Sequence, residues 1–434
     1  MTVQRNRFLG DLLSQLLVRR GSVRGKDDTR DIYELSHALL SAEGEVSGLR
    51  LASTIMARYA ALDMGERLAF FLFLNTELEI NPEDVAQLAT AYAAAPTPEL
   101  FHDLCEAAEP KRQEFLRRLN QPVGATAGLV AMRVDLLKHL KNEPDLARTN
   151  QDFVHLLRSW FNRGFLVLQQ ISWDTPARIL DKIVAYEAVH QINDWDDLRR
   201  RLYPPDRRCF AFFHPAMPDE PLIFVEVALT EIIPNSIDAV LSDSRTPLEA
   251  DQAKVAVFYS ISNCQKGLTG ISFGNLLIKQ VVSELSLECP QLESFVTLSP
   301  IPGLNRWLET QTDDPDHGAA AQSVLSGDAV PEDVRAMAAR YLLGAKRSDG
   351  LPRDPVARFH LGNGAEVHDI HAGADTSANG SAQSSGAMVN YLYDLTHAER
   401  NHEDFATAYT VAASRSVQAL STATLVTKPK EPTT

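Results

Sequence analysis

The sequence is short of several features that define whole classes of protein. None of its apolar runs is long enough to span a bilayer as a helix. Its four cysteines are scattered and show no paired metal-ligand spacing, which predicts free thiols in a reducing compartment. The formal net charge of -15 argues against general binding to nucleic acids or membrane surfaces. These absences indicate an acidic globular protein.

Several catalytic signatures are missing as well. The sequence has no HExxH motif, no HxxxH motif and no carboxylate cluster, so we expect no resident metal. A dinucleotide-binding fingerprint is also absent, and we therefore expect no organic cofactor. No Gly-x-Ser-x-Gly elbow surrounds Ser299, which disfavours an α/β hydrolase.

The two ends of the sequence bear on targeting. The opening MTVQRNRFLGDLLSQLLVRR is basic and amphipathic, as organelle transit peptides are. Asp11 and the DDTRD tract that follows count against that interpretation. The last residues, KEPTT, differ from a peroxisomal Ser-Lys-Leu signal. We expect the protein to be cytoplasmic.

Helix signals dominate the first part of the chain. Asn81 and Thr97 are potential N-cap residues, and each is followed by a proline at the first helical position and by acidic residues. Apolar residues also recur at helical spacing in the segment 152–161. We predict a helical bundle over residues 1–161. The residue pattern leaves open whether this bundle mediates subunit association or is self-contained.

Strand signals dominate the second part of the chain. The segments 208–213 and 221–229 are apolar, aromatic or β-branched, and the turn-rich HPAMPDE between them predicts a hairpin. A further strand begins at Lys254, and a short one covers 294–298. A hairpin that leads into a strand–helix–strand unit gives a mixed sheet. We therefore predict a second domain over residues 162–434.

A glycine-rich loop precedes the helix of that strand–helix–strand unit. Gly267, Gly270 and Gly274 punctuate the loop, and apolar residues recur at helical spacing from Asn275. Such a loop leaves free backbone N–H groups beside the positive end of the helix dipole, an arrangement that binds phosphate. Glycines alone are a weak signal, because the same pattern also fits an ordinary turn.

Two candidate catalytic residues follow. Ser299 comes straight after a strand in a rigid Ser-Pro turn, and taken alone it fits a turn cap. His360 lies in FHLGNG, where the pattern predicts a strand-like segment followed by a tight turn; taken alone it fits a locally hydrogen-bonded histidine. The small-residue segment 373–386 predicts a flexible loop.

Seven short stretches resemble the motifs of the malonyl-CoA decarboxylases. They occur in the order of that family and cover most of the chain from about Trp173 onward. In chain order they are YEAVH (186–190), RRCFAFFHPAMPDEPLIFVEVALT (207–230), VFYSISNCQKG (257–267), GLTGISFGNLLIKQVV (267–282), TLSPIPG (297–303), RFHLGNGA (358–365) and MVNYLYD (388–394).

The resemblance implies an α+β protein with two parts. Residues 1–161 would form the helical domain that associates the chains into a homodimer or homotetramer. Residues 162–434 would form a mixed-sheet catalytic domain with the fold of the CoA-dependent N-acetyltransferases. The implied activity is conversion of malonyl-CoA to acetyl-CoA and CO2 in fatty-acid metabolism, without a metal or an organic cofactor.

The resemblance also makes Ser299 and His360 a catalytic pair. Loss of CO2 places negative charge on the thioester oxygen, which fixed hydrogen-bond donors stabilise, and the resulting carbanion needs a proton. His360 is expected to give that proton, because histidine donates protons near neutral pH. Ser299 is expected to hydrogen-bond the malonyl group. Tyr393 and Lys182 are further catalytic candidates, for which a core tyrosine and a solvated helix face are the simpler explanations.

The predicted malonyl-CoA-binding residues form one continuous segment that Ser299 and His360 complete. The segment consists of Thr269, Gly270, Ile271, Ser272, Phe273, Gly274 and Asn275. Gly270 and Gly274 are expected to be glycines so that the backbone can approach the CoA pyrophosphate.

Two other functions remain open at this point. An acyl-CoA-dependent N-acetyltransferase fits the phosphate loop equally well, but it does not require the Ser299 and His360 pair. A non-enzymatic helical scaffold would need the glycine loop to be a plain turn. We expect CoA thioesters as ligands, and neither nucleic acid nor membrane as a partner.

Overall fold

The structure is a computed structural model that describes residues 28–42, 44–271 and 274–426, with the backbone alone at 274–276. The described residues form two compact units. The first contains the chain up to Phe165, the segment His214–Pro218 and the described part of Gln265–Ser272. The second contains Leu166–Phe213, Asp219–Cys264 and the described chain after Phe273.

The first unit is built from helices. Their bounds are α1 Ile32–Ser41, α2 Glu45–Ala61, α3 Met64–Thr76, α4 Pro82–Ala94, α5 Pro98–Ala108, α6 Lys111–Leu119, α7 Ala125–His139 and α8 Ala147–Trp160. Short 3-10 turns cover Pro144–Leu146, Arg163–Phe165 and Lys266–Leu268.

The helix starts follow from the local sequence. Asp31 and Asp63 each form a capping box with a glutamate three residues later, so two backbone N–H groups at each start are satisfied. Asn81 and Thr97 cap α4 and α5, and each is followed by proline at the first position, as the sequence predicts. Buried aromatic rings, among them Phe70, fill the core of this unit.

The second unit combines a sheet with helices. Its strands are β1 Val167–Ile171, β2 Arg207–Phe213, β3 Ile223–Thr230, β4 Val255–Asn263, β5 Ser294–Thr297, β6 Ser299–Pro300, β7 Glu366–His371 and β8 Met388–Leu392. Its α-helices are α9 Ala177–Tyr186, α10 Trp195–Leu202, α11 Ile237–Leu241, α12 Gly274–Glu288, α13 Leu304–Glu309, α14 Gly318–Ser326, α15 Pro331–Gly344, α16 Pro355–Leu361, α17 Ala378–Ser384, α18 Ala398–Ala408 and α19 Arg415–Thr422. A 3-10 turn covers Ala250–Gln252.

The eight strands form one mixed sheet. Its order is β1-β2-β3-β4-β5-β8-β6, and β7 also pairs with β8. Strands β4 and β5 are parallel and are joined through α12, whereas every other pairing is antiparallel. Strand β8 therefore pairs with β5, β6 and β7, and it brings three separate parts of the chain together.

Apolar side chains pack on this sheet in buried clusters. One cluster joins α9 and α10 to β2, with Ile183 and Leu198 against Phe213. Another includes Val257 and Tyr259 of β4. Strand β3 is buried along nearly its whole length, which agrees with a sequence that is apolar or β-branched at every position except Glu226.

The predicted fold class is confirmed: a helical N-terminal region precedes a mixed-sheet region, and the protein is α+β. Two local predictions are wrong. His360 lies on a helix, α16, and the segment 373–386 contains the helix α17. The division at residues 161 and 162 stays a prediction, as does the associating role of the first domain. Within the described ranges, no helix is long and apolar enough to cross a membrane.

Candidate active site

Ser299 and His360 lie within hydrogen-bonding distance of each other in the second unit. The Ser299 Oγ to His360 Nε2 distance is 3.2 Å. Ser299 begins β6, which pairs with β8, and His360 lies in the last turn of α16. Both side chains are buried, with 5% and 2% of their surfaces exposed. The structure therefore brings together two residues that are 61 positions apart in the sequence.

Tyrosines 391 and 393 hold the imidazole from two sides. The Tyr393 hydroxyl lies 2.8 Å from His360 Nδ1. The Tyr391 ring stacks on the imidazole, with 4.5 Å between ring centroids and an interplanar angle of 25°. The two tyrosines are two positions apart, on β8 and just after it, and so they lie on the same side of the chain.

Thr297 orients the serine. Ser299 donates its hydroxyl proton to Thr297 Oγ1 at 2.8 Å, and Thr297 Oγ1 also accepts the Tyr391 backbone N–H at 3.2 Å. With the serine proton directed at Thr297, the network assigns the His360 Nε2–H as donor to Ser299 Oγ. The Tyr393 hydroxyl then donates to Nδ1. The result is a continuous chain of hydrogen bonds from Tyr393 to Thr297.

Burial determines the charge of this histidine. Desolvation lowers the pKa of His360 to about 3, because removal from water disfavours the charged imidazolium. The imidazole of the free protein is therefore neutral at neutral pH. A ligand that brought negative charge to Nε2 would raise the pKa again.

The helix that carries His360 starts at a buried aspartate. Asp354 is the N-cap of α16 and accepts the Ala357 backbone N–H at 2.8 Å, and Pro355 occupies the first helical position. Burial raises the pKa of the Asp354 carboxyl to about 6, against the opposing effect of its backbone hydrogen bonds. This cap fixes the start of a helix only seven residues long.

Lys182 lies in a different set of contacts. Its Nζ donates to Glu220 Oε1 at 2.6 Å and to the Asp219 carbonyl at 2.9 Å. Among the described residues it has no hydrogen bond to Ser299 or His360. Nearby in sequence, the Glu187 carboxylate accepts one hydrogen bond from the Ser260 hydroxyl and another from the Ser262 hydroxyl. These bonds support a role for Glu187 in fixing α9 against β4.

The described part of the glycine loop is a tight turn in the first unit. Thr269 and Gly270 are exposed, Ile271 is buried, and Gly270 has a positive φ of 81°. Ser272 and Phe273 lie outside the described residues. The backbone of Gly274 and Asn275 begins α12 in the second unit.

The described residues show neither a metal-ligand cluster nor a disulfide. Over the described ranges, no group of three or more His, Cys, Asp or Glu side chains is arranged to hold a metal ion. The described cysteines 105, 209, 264 and 289 are all free thiols. The absence of a cofactor stays a prediction.

Sequence reasoning missed two members of the site, Thr297 and Tyr391. Both were inside motifs that carried the resemblance, TLSPIPG and MVNYLYD. The signal that could have found them is the period of two along a strand, because Thr297 precedes Ser299, and Tyr391 precedes Tyr393, by two positions.

Comparison with known proteins identifies the family of this chain. Residues 164–431 match the family described as Malonyl-CoA decarboxylase C-terminal domain, and residues 78–161 match Malonyl-CoA decarboxylase N-terminal domain. The protein named "Malonyl-CoA decarboxylase, mitochondrial" from Anser anser anser is 35% identical over 348 residues, which cover 71% of this chain and 69% of that protein.

Two solved structures are similar over nearly their full lengths. The malonyl-CoA decarboxylase from Rhodopseudomonas palustris is 48% identical, with a TM-score of 0.84, covering 89% of this chain and 98% of that one. The malonyl-CoA decarboxylase from Agrobacterium vitis is 47% identical, with a TM-score of 0.85, covering 90% and 99%. The chain belongs to the malonyl-CoA decarboxylase family.

Proposed function

We propose that this protein converts malonyl-CoA to acetyl-CoA and CO2, with Ser299, His360 and Tyr393 as its catalytic residues. The observation that carries the proposal is the buried chain of hydrogen bonds from Tyr393 through His360 and Ser299 to Thr297. Membership of the malonyl-CoA decarboxylase family supports the substrate.

The first step is loss of CO2. The bond between the α-carbon and the free carboxylate of the malonyl group breaks, and its electron pair forms the enolate of the acetyl thioester. Ser299 turns its hydroxyl proton from Thr297 to the malonyl group, and donors at the thioester oxygen stabilise the negative charge that develops there. Because the site is buried, these hydrogen bonds act in a medium of low dielectric constant, where they are stronger than in water.

The second step is protonation of the α-carbon by His360. The free imidazole is neutral, and the negative charge of the bound malonyl group raises its pKa, so the ring takes up a proton from solvent. The imidazolium Nε2–H then gives its proton to the enolate carbon, and the ring returns to its neutral form. One proton from solvent is consumed for each CO2 released. Because the neutral ring already carries a proton at Nε2, the added proton is at Nδ1, where the Tyr393 hydroxyl changes from donor to acceptor and continues to orient the ring.

The CoA part of the substrate is assigned to the segment 269–275. Gly270 supports this assignment, because its positive φ favours glycine and a Cβ built there would meet no atom of the described residues within 4 Å. Lys182 remains a weaker catalytic candidate, since its ion pair with Glu220 explains its position without a role in the reaction.

One experiment tests the activity and the absence of a cofactor together. Purified, desalted and exhaustively chelated protein is incubated with malonyl-CoA, and CO2 and acetyl-CoA are measured. We expect equal amounts of both products at the full rate. A rate that disappears with the chelator and returns with a metal would contradict the cofactor-free mechanism. Absence of both products under every condition would contradict the function.

We further propose that the protein is a cytoplasmic homodimer or homotetramer associated through its helical domain. Free cysteines are consistent with a reducing compartment. Curated relatives carry "mitochondrial" in their names, so fractionation of source cells, with markers for both compartments, is the test of location.

A further inference from the structure

Two arginines of the first unit contact the described part of the glycine loop. Arg133 of α7 donates from Nη1 to the Gly267 carbonyl at 2.6 Å and from Nη2 to the Thr269 carbonyl at 2.9 Å. Arg158 of α8 donates from Nη2 to the Gly270 carbonyl at 3.4 Å. Three carbonyls of one loop thus face two guanidinium groups.

Neither guanidinium is neutralised by a carboxylate in the part of the chain that the structure describes. The remaining bond of Arg133 is from Nε to the amide oxygen of Asn150, at 3.0 Å. Burial and the charge of Arg158 both lower the pKa of Arg133, and no acidic group opposes them. A buried arginine normally has a carboxylate partner, because an uncompensated charge away from water is costly. The two guanidinium groups therefore give this loop a net positive charge.

The loop is held rigidly against α7. Gly267 is required there, because a Cβ at this position would lie 2.1 Å from the Val130 carbonyl oxygen. The side chains of Leu268 and Ile271 are buried. Arg133 itself is only 2% exposed. These contacts fix the peptide planes of the loop before any ligand arrives.

The carbonyl directions decide where the amide groups point. In a trans peptide, the carbonyl of one residue and the N–H of the next point in opposite directions. Since the Thr269 carbonyl faces Arg133, the Gly270 N–H faces away from it. That N–H has no acceptor among the described residues, and a Cβ built on Gly270 would meet none of their atoms within 4 Å. A free N–H on an exposed loop that carries surplus positive charge favours an anion.

We propose that Arg133 is a positioning residue that presents the Gly270 N–H to the pyrophosphate of CoA, and that Arg158 supplies the neighbouring charge. The proposal rests on the proposed function only in taking a CoA thioester as the ligand. It assigns to α7 and α8 a part in substrate binding in addition to any part in association.

Calorimetric titration with CoA tests the charge. Arg158 is exposed, so Arg158→Gln leaves the core untouched, and loss of a charge-assisted hydrogen bond is expected to weaken CoA binding about tenfold. The matched control is Arg148→Gln on the same helix, whose guanidinium is 57% exposed and pairs with Glu79. It should bind CoA as the wild type does. Dephospho-CoA, which retains the pyrophosphate, should show the same loss with Arg158→Gln; a loss confined to CoA would overturn the pyrophosphate assignment.

Kinetics test the positioning role of Arg133. Arg133→Lys keeps the charge but cannot bond both carbonyls, so KM for malonyl-CoA should rise several-fold while kcat stays near that of the wild type. Malonyl-pantetheine lacks the phosphates, and its kinetics should be the same in the variant and the wild type. An equal loss with both substrates would show general damage and overturn the proposal, as would unchanged KM for malonyl-CoA.

The binding and kinetic results separate this proposal from the proposed function. Weaker CoA binding by Arg158→Gln in a protein that never decarboxylates malonyl-CoA would support the proposal and contradict the function. Full decarboxylation, with wild-type CoA affinity in Arg158→Gln and unchanged kinetics in Arg133→Lys, would support the function and overturn the proposal.

Discussion

In the proposed mechanism, Tyr391 helps the buried His360 to become charged when substrate binds. Desolvation keeps the free imidazole neutral, with the pKa lowered to about 3. The face of the Tyr391 ring, however, lies 4.5 Å from the imidazole centroid, and an aromatic face attracts a cation. The same stacking would therefore stabilise the imidazolium once the malonyl carboxylate, at its proposed position, offsets the desolvation. Tyr391 and the bound substrate would therefore both raise the pKa of His360.

Substitution of His360 tests its place in the reaction. Protonation by a positioned acid contributes roughly 10²–10⁴-fold, so His360→Ala should lower kcat by this order. CoA affinity should be unchanged, because the proposed phosphate site does not include His360. Calorimetry with CoA serves as the control for folding. Near-wild-type turnover would remove His360 from the mechanism and favour an acetyltransferase.

A double-mutant cycle tests whether Ser299 and His360 act as one unit. Ser299→Ala should lower kcat and also raise KM, because the hydroxyl is assigned to the malonyl group before reaction. The double variant should lose less than the product of the two single losses, since residues of one unit are not additive. Strictly multiplicative losses, measured on folded proteins, would mean that the 3.2 Å contact has no catalytic consequence.

Acid stability reports the protonation of His360 directly. Its folded pKa of about 3 lies below the ordinary histidine value, so between these two values the unfolded chain binds the extra proton. This contribution to stability is present above about pH 6.5 and is lost as the pH falls, by about 1.4 kcal/mol per pH unit.

His360→Gln, which cannot titrate, isolates that contribution. From pH 7.5 to pH 5.0, the wild type should lose about 2 kcal/mol more unfolding free energy than the variant. Asp354 titrates in the opposite sense, because its pKa is raised, but it is present in both proteins and cancels. Denaturant titrations of both proteins at the two pH values provide the measurement. Equal losses in the two proteins would show that His360 is protonated at pH 5.0 in the folded protein as well as in the unfolded chain.

At the scale of elements, the sequence predicted strands and helix caps better than it predicted the setting of His360. Strands β2, β3 and β4 lie where apolar and β-branched runs predict them, because period-two patterns and flanking turns are local signals. The helix α16 also has a local signal, the Asp354-Pro355 start, but the apolar Phe359 and Leu361 on either side of His360 favoured a strand.

The non-local part of the site was beyond any single-sequence pattern. Thr297, Ser299 and Tyr391 meet His360 because β8 pairs with both β5 and β6, and pairing partners leave no local mark in the sequence. The resemblance supplied Ser299 and His360 as a pair, but not their geometry. The segment 373–386 was misjudged for a similar reason: Ser377 caps α17, although the composition resembles a linker.

The cap of α16 gives a prediction at this scale. Asp354→Ala removes the acceptor for the Ala357 N–H, and a lost N-cap costs about 1 kcal/mol. A seven-residue helix has little stability of its own, so the position of His360 should become less defined. We expect kcat to fall several-fold with little change in KM. Asp354→Asn, which keeps an acceptor oxygen, should restore most of the rate.

Asp194→Ala is the matched control for the cap. Asp194 caps α10 by accepting the Asp197 N–H, and α10 carries no proposed catalytic residue. Its loss should leave kcat unchanged. Equal effects of the two alanine variants on kcat would mean that general destabilisation, and not the placement of His360, explains the Asp354 result.

At the scale of the whole molecule, the chain does not divide simply along its sequence. The segment His214–Pro218 and the described part of Gln265–Ser272 belong to the helical unit, although both lie far along the chain within the predicted catalytic domain. Removal of residues 1–161 would therefore take away α7, against which Gly267 packs. A truncation cannot separate association from CoA binding, and point substitutions in the full chain are needed.

We assign the proposed association to α4 and α5, the two described α-helices of the first unit that contain no buried residue. They pack on each other, with 5.8 Å between the ring centroids of Tyr92 and Phe101, but neither helix contains a buried residue. Helices of 13 and 11 residues are marginal by themselves and usually depend on packing of an apolar face. Phe101 remains 55% exposed. In the predicted dimer or tetramer, a second copy of the chain would pack on this exposed face of α4 and α5.

Phe101→Ser in the full chain should therefore weaken self-association. We expect light scattering to show a dimer or tetramer for the wild type and a shift to smaller species for the variant at the same concentration. CoA affinity should not change, because Arg133, Arg158 and Gly270 are untouched. Val123→Ser is the matched control, since Val123 is 79% exposed in the same unit but lies outside α4 and α5. A monomeric wild type would contradict association altogether, and an unchanged assembly in Phe101→Ser would place the contact elsewhere.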